Sequence, residues 1–340
     1  NGKFFIFQKG NYLKIFNSSG KYLSLFNKQG KGPKEYMSLY NVSINSCAKV
    51  ISIRSAEKMV EYSVSGEYLR TINLPDEKSL QDVHYTGYSK IGYNYYILST
   101  SIESHRSNLN YSAFLFDSTS KVLIKIPYPK EEKEFVIKLD LKGSASNQIS
   151  PLLFKYKDCV RIINGTNENV VSINKDLQVD TVFRFNYGKY NVKNYPESYN
   201  LRIDEQPFLQ IHYKIFESSS FLFMRFKTGK LPFKPWEFKT KFGKIRSSPI
   251  SCSLFNKQTC QFSFIDQCGV DEFGLIEDFE GGPAFWPLYI SQDDYMVSYI
   301  DALKFIEYAQ THKVSDKFKK IADSLNENSN PVVVLVKLKE

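Results

Sequence analysis

Two stretches of the sequence share one pattern and decide the fold: Asn17-Ser18-Ser19-Gly20-Lys21-Tyr22-Leu23 and Ser63-Val64-Ser65-Gly66-Glu67-Tyr68-Leu69. Each places a polar turn containing glycine between two apolar runs, which is typical of a β-hairpin. The two glycines lie 46 positions apart. Weaker copies of the pattern occupy 114–123, 171–177 and 253–262.

A repeat of about 40–50 residues with β character indicates the blades of a propeller, each a small antiparallel sheet. One such sheet cannot bury both of its faces alone, so blades pack face to face. Five recognisable hairpins and one more divergent blade predict an all-β, six-bladed β-propeller. The last interval between hairpins is longer, so a loop insertion is expected within 190–250. A row of β-sandwiches would need linkers, and the sequence shows none.

The C-terminal part departs from the β pattern. Apolar residues at helical spacing follow Tyr299, and again at 318, 321, 322 and 325, which predicts two amphipathic helices. We therefore expect a single domain over 1–340 with a helical insertion at about 292–328 in the last blade. A closing strand at 331–338 would complete the ring by pairing with the incomplete first blade.

Composition supports a folded β domain. Of 340 residues, 42% are hydrophobic and 15% are aromatic, and large aromatic side chains suit half-buried pleated surfaces. The net charge of +9 comes mainly from lysines that are scattered along the chain. Readers of nucleic acid favour arginine and clustered basic stripes, so nucleic acid is not expected as a partner. A polyanionic glycan and an acidic partner are kept as candidate ligands of the basic surface.

The cysteines and histidines form no metal-binding pattern. The five cysteines include no CxxC pair, and the four histidines share no ligand spacing, so no structural zinc site is predicted. Cys252, Cys260 and Cys268 are evenly spaced, and two of them on neighbouring strands could form a disulfide. Buried free thiols are the favoured interpretation because an odd count leaves one unpaired.

The sequence contains no run of about 20 apolar residues, which is the length that a helix needs to span a bilayer. The chain starts at Asn1 without a methionine, so we expect a mature product whose export signal has been removed, with a lipid anchor left open for the precursor. A monomer is expected.

The stretch 30–36, Gly-Lys-Gly-Pro-Lys-Glu-Tyr, is a candidate ligand loop. It lacks the spacing of a dinucleotide-binding loop, and no helical pattern follows it. Glu35 and Tyr36 could face the central channel and bind a ligand. A tight connection between strands is the favoured alternative.

A second candidate is the Gly-rich stretch 274–287. Asp278 and Glu280 could bind Ca²⁺ or act as an acid and base, although acids that shape a turn are the favoured interpretation. Trp286 could stack on a sugar ring or serve as a packed aromatic anchor. No catalytic residue and no confident metal ligand is predicted.

These two stretches carry a family resemblance. Residues 30–36 resemble the GxGPxEY loop of a bacterial six-bladed, NHL-like β-propeller family of secreted proteins and lipoproteins of gut bacteria. Residues 274–287 resemble its N-D-x-D-G-G-x-x-F-W-P segment, with Glu277 in place of the usual asparagine and Glu280 in place of the usual aspartate. Residues 330–335 resemble its closing strand. The resemblance implies a propeller exported to the periplasm or cell surface, and no established reaction.

The favoured function is that of a cell-envelope binding or scaffolding protein that recognises a small molecule, a glycan or a protein partner at the propeller axis. The alternative is a divalent-cation-dependent lyase or hydrolase in the central channel. Converging oxygen ligands would favour the enzyme, whereas aromatic and isolated polar groups would favour binding. A third hypothesis, protein interaction through the inserted helices, requires an exposed apolar patch on them.

Overall fold

The computed structural model describes residues 4–17, 19–39, 41–45, 49–55, 58–76, 85–103, 110–140, 148–164, 166, 168–231, 233 and 235–337. The chain forms two compact units, residues 1–186 and residues 187–340. Antiparallel sheets dominate both units, and the fold class is an all-β propeller with few helices.

The first unit contains four sheets of three or four strands and one two-stranded sheet. Its strands are β1 (Phe4–Lys9), β2 (Tyr12–Asn17), β3 (Tyr22–Phe26), β4 (Asn41–Asn45), β5 (Val50–Ser55), β6 (Lys58–Ser63), β7 (Tyr68–Asn73), β8 (Tyr85–Ile91), β9 (Tyr95–Thr100), β10 (Ile102–Glu103), β11 (Tyr111–Asp117), β12 (Val122–Pro127), β13 (Gln148–Ile149), β14 (Leu152–Tyr156), β15 (Cys159–Ile163), β16 (Asn169–Ile173) and β17 (Val179–Arg184). The strand orders are β1-β2-β3, β4-β5-β6-β7, β12-β11-β9-β8 and β14-β15-β16-β17, with β10 paired to β13.

The second unit contains one five-stranded sheet, one three-stranded sheet and a separate hairpin. Its strands are β18 (Gln210–Ile211), β19 (Phe216–Glu217), β20 (Phe221–Lys227), β21 (Trp236–Lys239), β22 (Ile245–Ser248), β23 (Ile250–Asn256), β24 (Gln261–Phe264), β25 (Tyr289–Ile290), β26 (Tyr295–Ile300) and β27 (Val332–Lys337). The larger sheet has the order β18-β20-β23-β24 with β19 also paired to β20, and the smaller has the order β25-β26-β27.

The predicted hairpins are confirmed by a shared turn geometry. In all five, a residue three or four positions after the end of the first strand has a left-handed backbone. The first two turns use Gly20 and Gly66, with φ of 80° and 88°. The other three place Ser120, Leu177 and Cys260 there. Because a side chain at positive φ is strained, glycine marks the two clearest repeats and its replacement makes the other copies weaker in sequence.

Consecutive sheets of the first unit pack face to face, as blades do. On β6, Val60 packs towards the first sheet while its neighbour Met59 packs towards Tyr96 and Phe114 of the third sheet. On β9, Ile97 packs in turn against Val160 of the fourth sheet. Both faces of a middle sheet are therefore covered, and its inner strands, such as β9 and β11, are buried along almost their whole length.

A buried ionic cluster joins the second and third sheets of the first unit. Glu61 on β6 and Lys90 on β8 have fully buried side chains and form an ion pair. Arg70 on β7 also pairs with Glu61, with 2.8 Å between Nε and Oε2. The hydroxyl of Tyr96 donates to Glu61 Oε1 at 3.0 Å. Burial alone would raise the pKa of Glu61, but the hydrogen bonds and charges of Lys90 and Arg70 outweigh it and lower that pKa.

The prediction of six blades is wrong. Five sheets form blades: the four of the first unit and the five-stranded sheet of the second. The remaining sheet has only two long strands, β26 and β27, and the two-residue β25. Residues 266–288, which precede it, form turns and isolated bridges instead of long strands, so no sixth complete blade develops.

Among the described residues, three α-helices interrupt the sheets, α1 (Lys130–Asp140), α2 (Ala302–Thr311) and α3 (Asp316–Asp323), and four short 3-10 helices lie within 188–205. The first was missed by the sequence reasoning. The other two lie between β26 and β27, within the segment predicted to be helical. The start of that segment forms the strand β26 instead, because its β-favouring residues pair with β27. Phe305 of α2 stacks on Phe318 of α3, with 3.9 Å between the ring centroids.

The cysteines that the structure describes, residues 159, 252, 260 and 268, are free thiols. Cys252 is buried as expected, but Cys260 and Cys268 are exposed. Cys47 lies outside the described residues.

Our first prediction concerns the ionic cluster. Glu61→Gln should lower the free energy of unfolding by about 3–5 kcal/mol, because it leaves two cations beside a buried neutral group. Glu67→Gln, the same change at an exposed position in the turn between β6 and β7, should have little effect. Urea denaturation of the two variants measures the difference. A loss equal to that of the control would show that Glu61 is not important for stability.

The second prediction concerns the left-handed turns. Cys260 has φ of 55° and an exposed side chain, so Cys260→Gly should raise the free energy of unfolding by about 1 kcal/mol. Cys268→Gly makes the same change at an exposed position without positive φ, and should instead be neutral or destabilising. Thermal denaturation of both variants tests this, and equal shifts would contradict the argument.

Candidate ligand-binding site

The five residues predicted to bind a ligand are divided between the two units. Glu35 and Tyr36 belong to the first unit, and Asp278, Glu280 and Trp286 belong to the second. Their ligand-binding roles stay predictions, and the structure gives each side chain definite surroundings.

Glu35 shapes its own loop. Its carboxylate Oε2 accepts a hydrogen bond from the backbone N–H of Gly32 at 2.8 Å. A Cβ at Gly30 would lie 1.9 Å from the same oxygen. A side chain at Gly30 would therefore displace the Glu35 carboxylate from its position over the loop.

Tyr36 is fully buried in the core of the first unit. Its hydroxyl donates to the carbonyl of Asn11 at 2.7 Å and accepts from the N–H of Lys28 at 3.2 Å. Burial raises the pKa of this phenol. The ring stacks on Phe26, with 5.9 Å between centroids. The contacts of Tyr36 therefore connect the loop to the strands beneath it.

In the stretch 274–287, the organising carboxylate is Glu277. Its oxygens accept from the backbone N–H groups of Phe279 at 3.0 Å, Glu280 at 2.9 Å and Gly282 at 2.5 Å. A Cβ at Gly282 would lie 2.9 Å from Glu277 Oε2. Glu277 occupies the position where the resembling family has asparagine, another side chain with an oxygen acceptor.

Glu280 and Asp278 have different surroundings. Glu280 accepts a hydrogen bond from the hydroxyl of Ser315, the N-cap of α3, and pairs with Lys317 at 2.7 Å. These two contacts lower the pKa of Glu280. Asp278 is exposed to solvent. Glu280 thus attaches the loop to helix α3.

Within the described ranges, no group of three or more His, Cys, Asp or Glu side chains is arranged to hold a metal ion.

Trp286 leads to a cluster that the sequence reasoning missed. Its side chain is 5% exposed and packs edge-on against Phe223 and Phe273, with centroid distances of 6.0 Å and 5.6 Å. The guanidinium carbon of Arg225 lies 4.2 Å from the centroid of Phe273 and 5.4 Å from that of Trp286. The faces of the two rings attract the positive charge of Arg225 and hold its guanidinium in place.

Two further basic residues share the face of Arg225. Lys227 lies two residues along β20 and therefore on the same side of the strand. His212 follows β18, and its backbone N–H donates to the backbone carbonyl of Arg225 at 2.7 Å. We call His212, Arg225 and Lys227 the basic face.

Within the described ranges, the basic face has no acidic counterpart. No carboxylate of the described residues forms an ion pair with Arg225 or Lys227. Burial lowers the pKa of both side chains. Burial, Lys227 and Arg225 together lower the pKa of His212 to about 4. All three groups would gain from a nearby anion.

Unpaired hydrogen-bond donors near Arg225 would also gain from an anion, because an anion is a hydrogen-bond acceptor. Nε of Arg225 and the indole N–H groups of Trp286 and Trp236 are buried without a hydrogen-bond partner among the described residues. Such groups are costly unless an acceptor is supplied. Cys252 lies opposite Arg225 on the paired strand and their side chains form a hydrogen bond, but burial raises the pKa of Cys252 to about 12, so the thiol stays protonated and does not neutralise the guanidinium.

A small cavity adjoins this cluster. It is lined by Trp236, Cys252 and Phe273 together with the acidic residues Asp266 and Glu272, and its volume of about 20 Å³ accommodates one water-sized group. The two acids disfavour an anion in the cavity itself.

The sequence did contain one signal for this site. Strand β20, Phe-Leu-Phe-Met-Arg-Phe-Lys, changes from apolar to basic along one face. A strand that buries its first half and carries two cations at its end indicates either an ion-paired edge or a binding surface, and only the neighbouring elements distinguish the two.

Structural comparison supports the fold. A crystal structure of a candidate exported protein from Bacteroides fragilis NCTC 9343 aligns with a TM-score of 0.59 at 14% identity, covering 98% of this chain and 90% of that chain. A member of the duf4221 family from Bacteroides vulgatus ATCC 8482 aligns with a TM-score of 0.47 at 10% identity, covering 87% of each chain. A virginiamycin B lyase from Staphylococcus aureus aligns with a TM-score of 0.36 at 10% identity, covering 77% of this chain and 79% of that chain. The last two likenesses are too weak to carry an argument.

A comparison with curated proteins found no match. Among the described residues, no helix is long and apolar enough to cross a membrane. The predicted resemblance to bacterial propellers is supported in its coarser form, without the six blades or the NHL-like detail. The family profile described as "Domain of unknown function (DUF4934)" matches residues 1–337, and the chain belongs to that family.

Proposed function

We propose that this protein is a binding or scaffolding protein of the bacterial cell envelope, and that its basic face recognises an acidic ligand. The observation that carries the proposal is a partly buried arginine, Arg225, that stacks on Phe273 and Trp286 and has no carboxylate partner among the described residues. An export location is consistent with the aligned Bacteroides fragilis protein, which is described as a candidate exported protein.

The chemistry of the ligand follows from what the basic face lacks. Arg225 offers a planar fork of N–H donors that suits a carboxylate, and Lys227 adds a second positive charge. Phe273 and Trp286 keep the guanidinium in place and reduce the cost of ordering it. A carboxylated glycan combines an acid with ring faces that suit aromatic side chains, so it is the ligand class to test first.

The contrast with Glu61 supports the assignment. In the first unit, a buried acid is matched by Lys90 and Arg70, so that cluster is complete without a ligand. In the second unit, Arg225 and Lys227 are partly buried without such a match. A protein that needed these cations only for stability would lose little by replacing them with apolar residues.

The third prediction is a binding test. In a thermal-shift assay with EDTA, uronic acid oligosaccharides should raise the melting temperature of the protein by mass action, and their methyl-esterified forms should not. Arg225→Met should abolish the shift and leave the free protein about 1 kcal/mol more stable, because it removes an unpaired, partly buried cation. Arg202→Met, at an exposed arginine of the same unit, should keep the full shift.

Equal shifts with acidic and esterified oligosaccharides would contradict recognition of the acid. A shift that required Ca²⁺ and was abolished by EDTA would instead favour the alternative of a divalent-cation-dependent lyase or hydrolase. A panel of acidic peptides in the same assay distinguishes a protein partner from a glycan.

The fourth prediction concerns pH. Because the pKa of His212 in the folded protein is about 4, the unfolded chain takes up a proton first as the pH falls below about 6.5. The contribution of His212 to stability is therefore complete above about 6.5 and lost as the pH falls towards 4. His212→Gln should flatten this part of the stability profile, measured by urea denaturation, whereas His312→Gln at an exposed position should not. Identical profiles for both variants would argue against a basic face around His212.

A further inference from the structure

A hairpin of the second unit has an unusual combination of exposed charge and exposed apolar surface. Strands β21 and β22 and their loop, residues 236–248, pair with each other and with no other strand of the described structure. The hairpin carries one acidic residue, Glu237, and four exposed basic residues, which are Lys239, Lys241, Lys244 and Arg246.

The tip of the hairpin is apolar. Phe242 is 79% exposed and Ile245 is 59% exposed. The Lys241 ammonium lies 5.0 Å from the centroid of the Phe242 ring. Gly243, with φ of 78°, allows the tight turn that the N–H of Thr240 closes on the carbonyl of Lys244 at 2.8 Å. The turn therefore holds Phe242 in solvent beside several cations.

The base of the hairpin is anchored. The side chain of Gln267 bonds to both backbone groups of Glu237, at 2.6 Å each, and Asp271 accepts from the N–H of Lys239 at 3.0 Å. Trp236 packs on Phe273 with 4.6 Å between ring centroids. These contacts secure one edge and one end of the hairpin, so its basic residues and its tip are displayed on a supported strand pair.

We propose that this hairpin docks the protein on the anionic surface of a phospholipid bilayer. Its lysines and arginine complement the negative headgroups, and Phe242 and Ile245 gain by entering the boundary with the acyl chains. A polysaccharide or a nucleic acid would satisfy the cations but offers no apolar phase for the tip. The surface uses neither Arg225 nor Lys227, so it is separate from the basic face.

The first experiment measures cosedimentation of the full chain with phosphatidylcholine vesicles, with and without phosphatidylglycerol. Binding should require phosphatidylglycerol and weaken as salt is added. The triple variant Lys239→Gln, Lys241→Gln, Lys244→Gln should lose affinity by at least about tenfold, because each lysine near an anionic surface contributes to binding. The matched variant Lys313→Gln, Lys319→Gln, Lys320→Gln removes the same charge from exposed positions at α3 and should bind like the wild type.

A second experiment tests the apolar tip. Phe242→Trp should show a blue-shifted emission with phosphatidylglycerol vesicles and quenching by brominated acyl chains, relative to the wild type with its two native tryptophans. Phe242→Ser should weaken vesicle binding and leave the melting temperature unchanged, since the side chain is exposed. Equal losses from the two lysine variants would overturn the proposal. It would also fail if dextran sulfate bound as tightly and Phe242→Ser left vesicle binding unchanged, because the hairpin would then be a general polyanion surface.

Discussion

The buried charge of Glu61 is the constraint on which the first unit depends. A carboxylate with a fully buried side chain is tolerable only if cations and hydroxyl donors surround it, and Lys90, Arg70 and Tyr96 do so from three other strands. Glu61 and Arg70 belong to one sheet, whereas Lys90 and Tyr96 belong to the next. The cluster therefore fixes how the second and third sheets meet, since apolar faces alone would allow them to slide.

The same physical rule explains why the second unit is the better place for a binding site. There, the apolar faces of β20 and β23 form an ordinary core around Phe223 and Cys252. At the end of that core, Arg225 and Lys227 are partly buried without the acid that Glu61 provides in the first unit. Their charges raise the free energy of the unliganded protein and make the free energy of binding an anion more favourable.

The two Gly-rich loops that attracted attention in the sequence share one design. In each, a glutamate folds back onto backbone N–H groups, Glu35 onto Gly32 and Glu277 onto Phe279, Glu280 and Gly282. A Cβ at Gly30 or Gly282 would displace the carboxylate from these N–H groups. Both glutamates thus shape their own loops, and Trp286 in the second loop packs beside Arg225 of the basic face.

The sequence by itself determined the β class, the five hairpin turns and the two C-terminal helices, because these depend on local periodicity and on which residues tolerate a left-handed backbone. It did not determine the number of complete blades, since strand formation in 266–288 depends on partners distant in the chain. The sequence analysis also missed the helix α1. Only the tertiary structure decided that Glu61 is matched by cations and that Arg225 is not. Charge pairing is a property of which strands become neighbours, and a single sequence does not encode that in any local pattern.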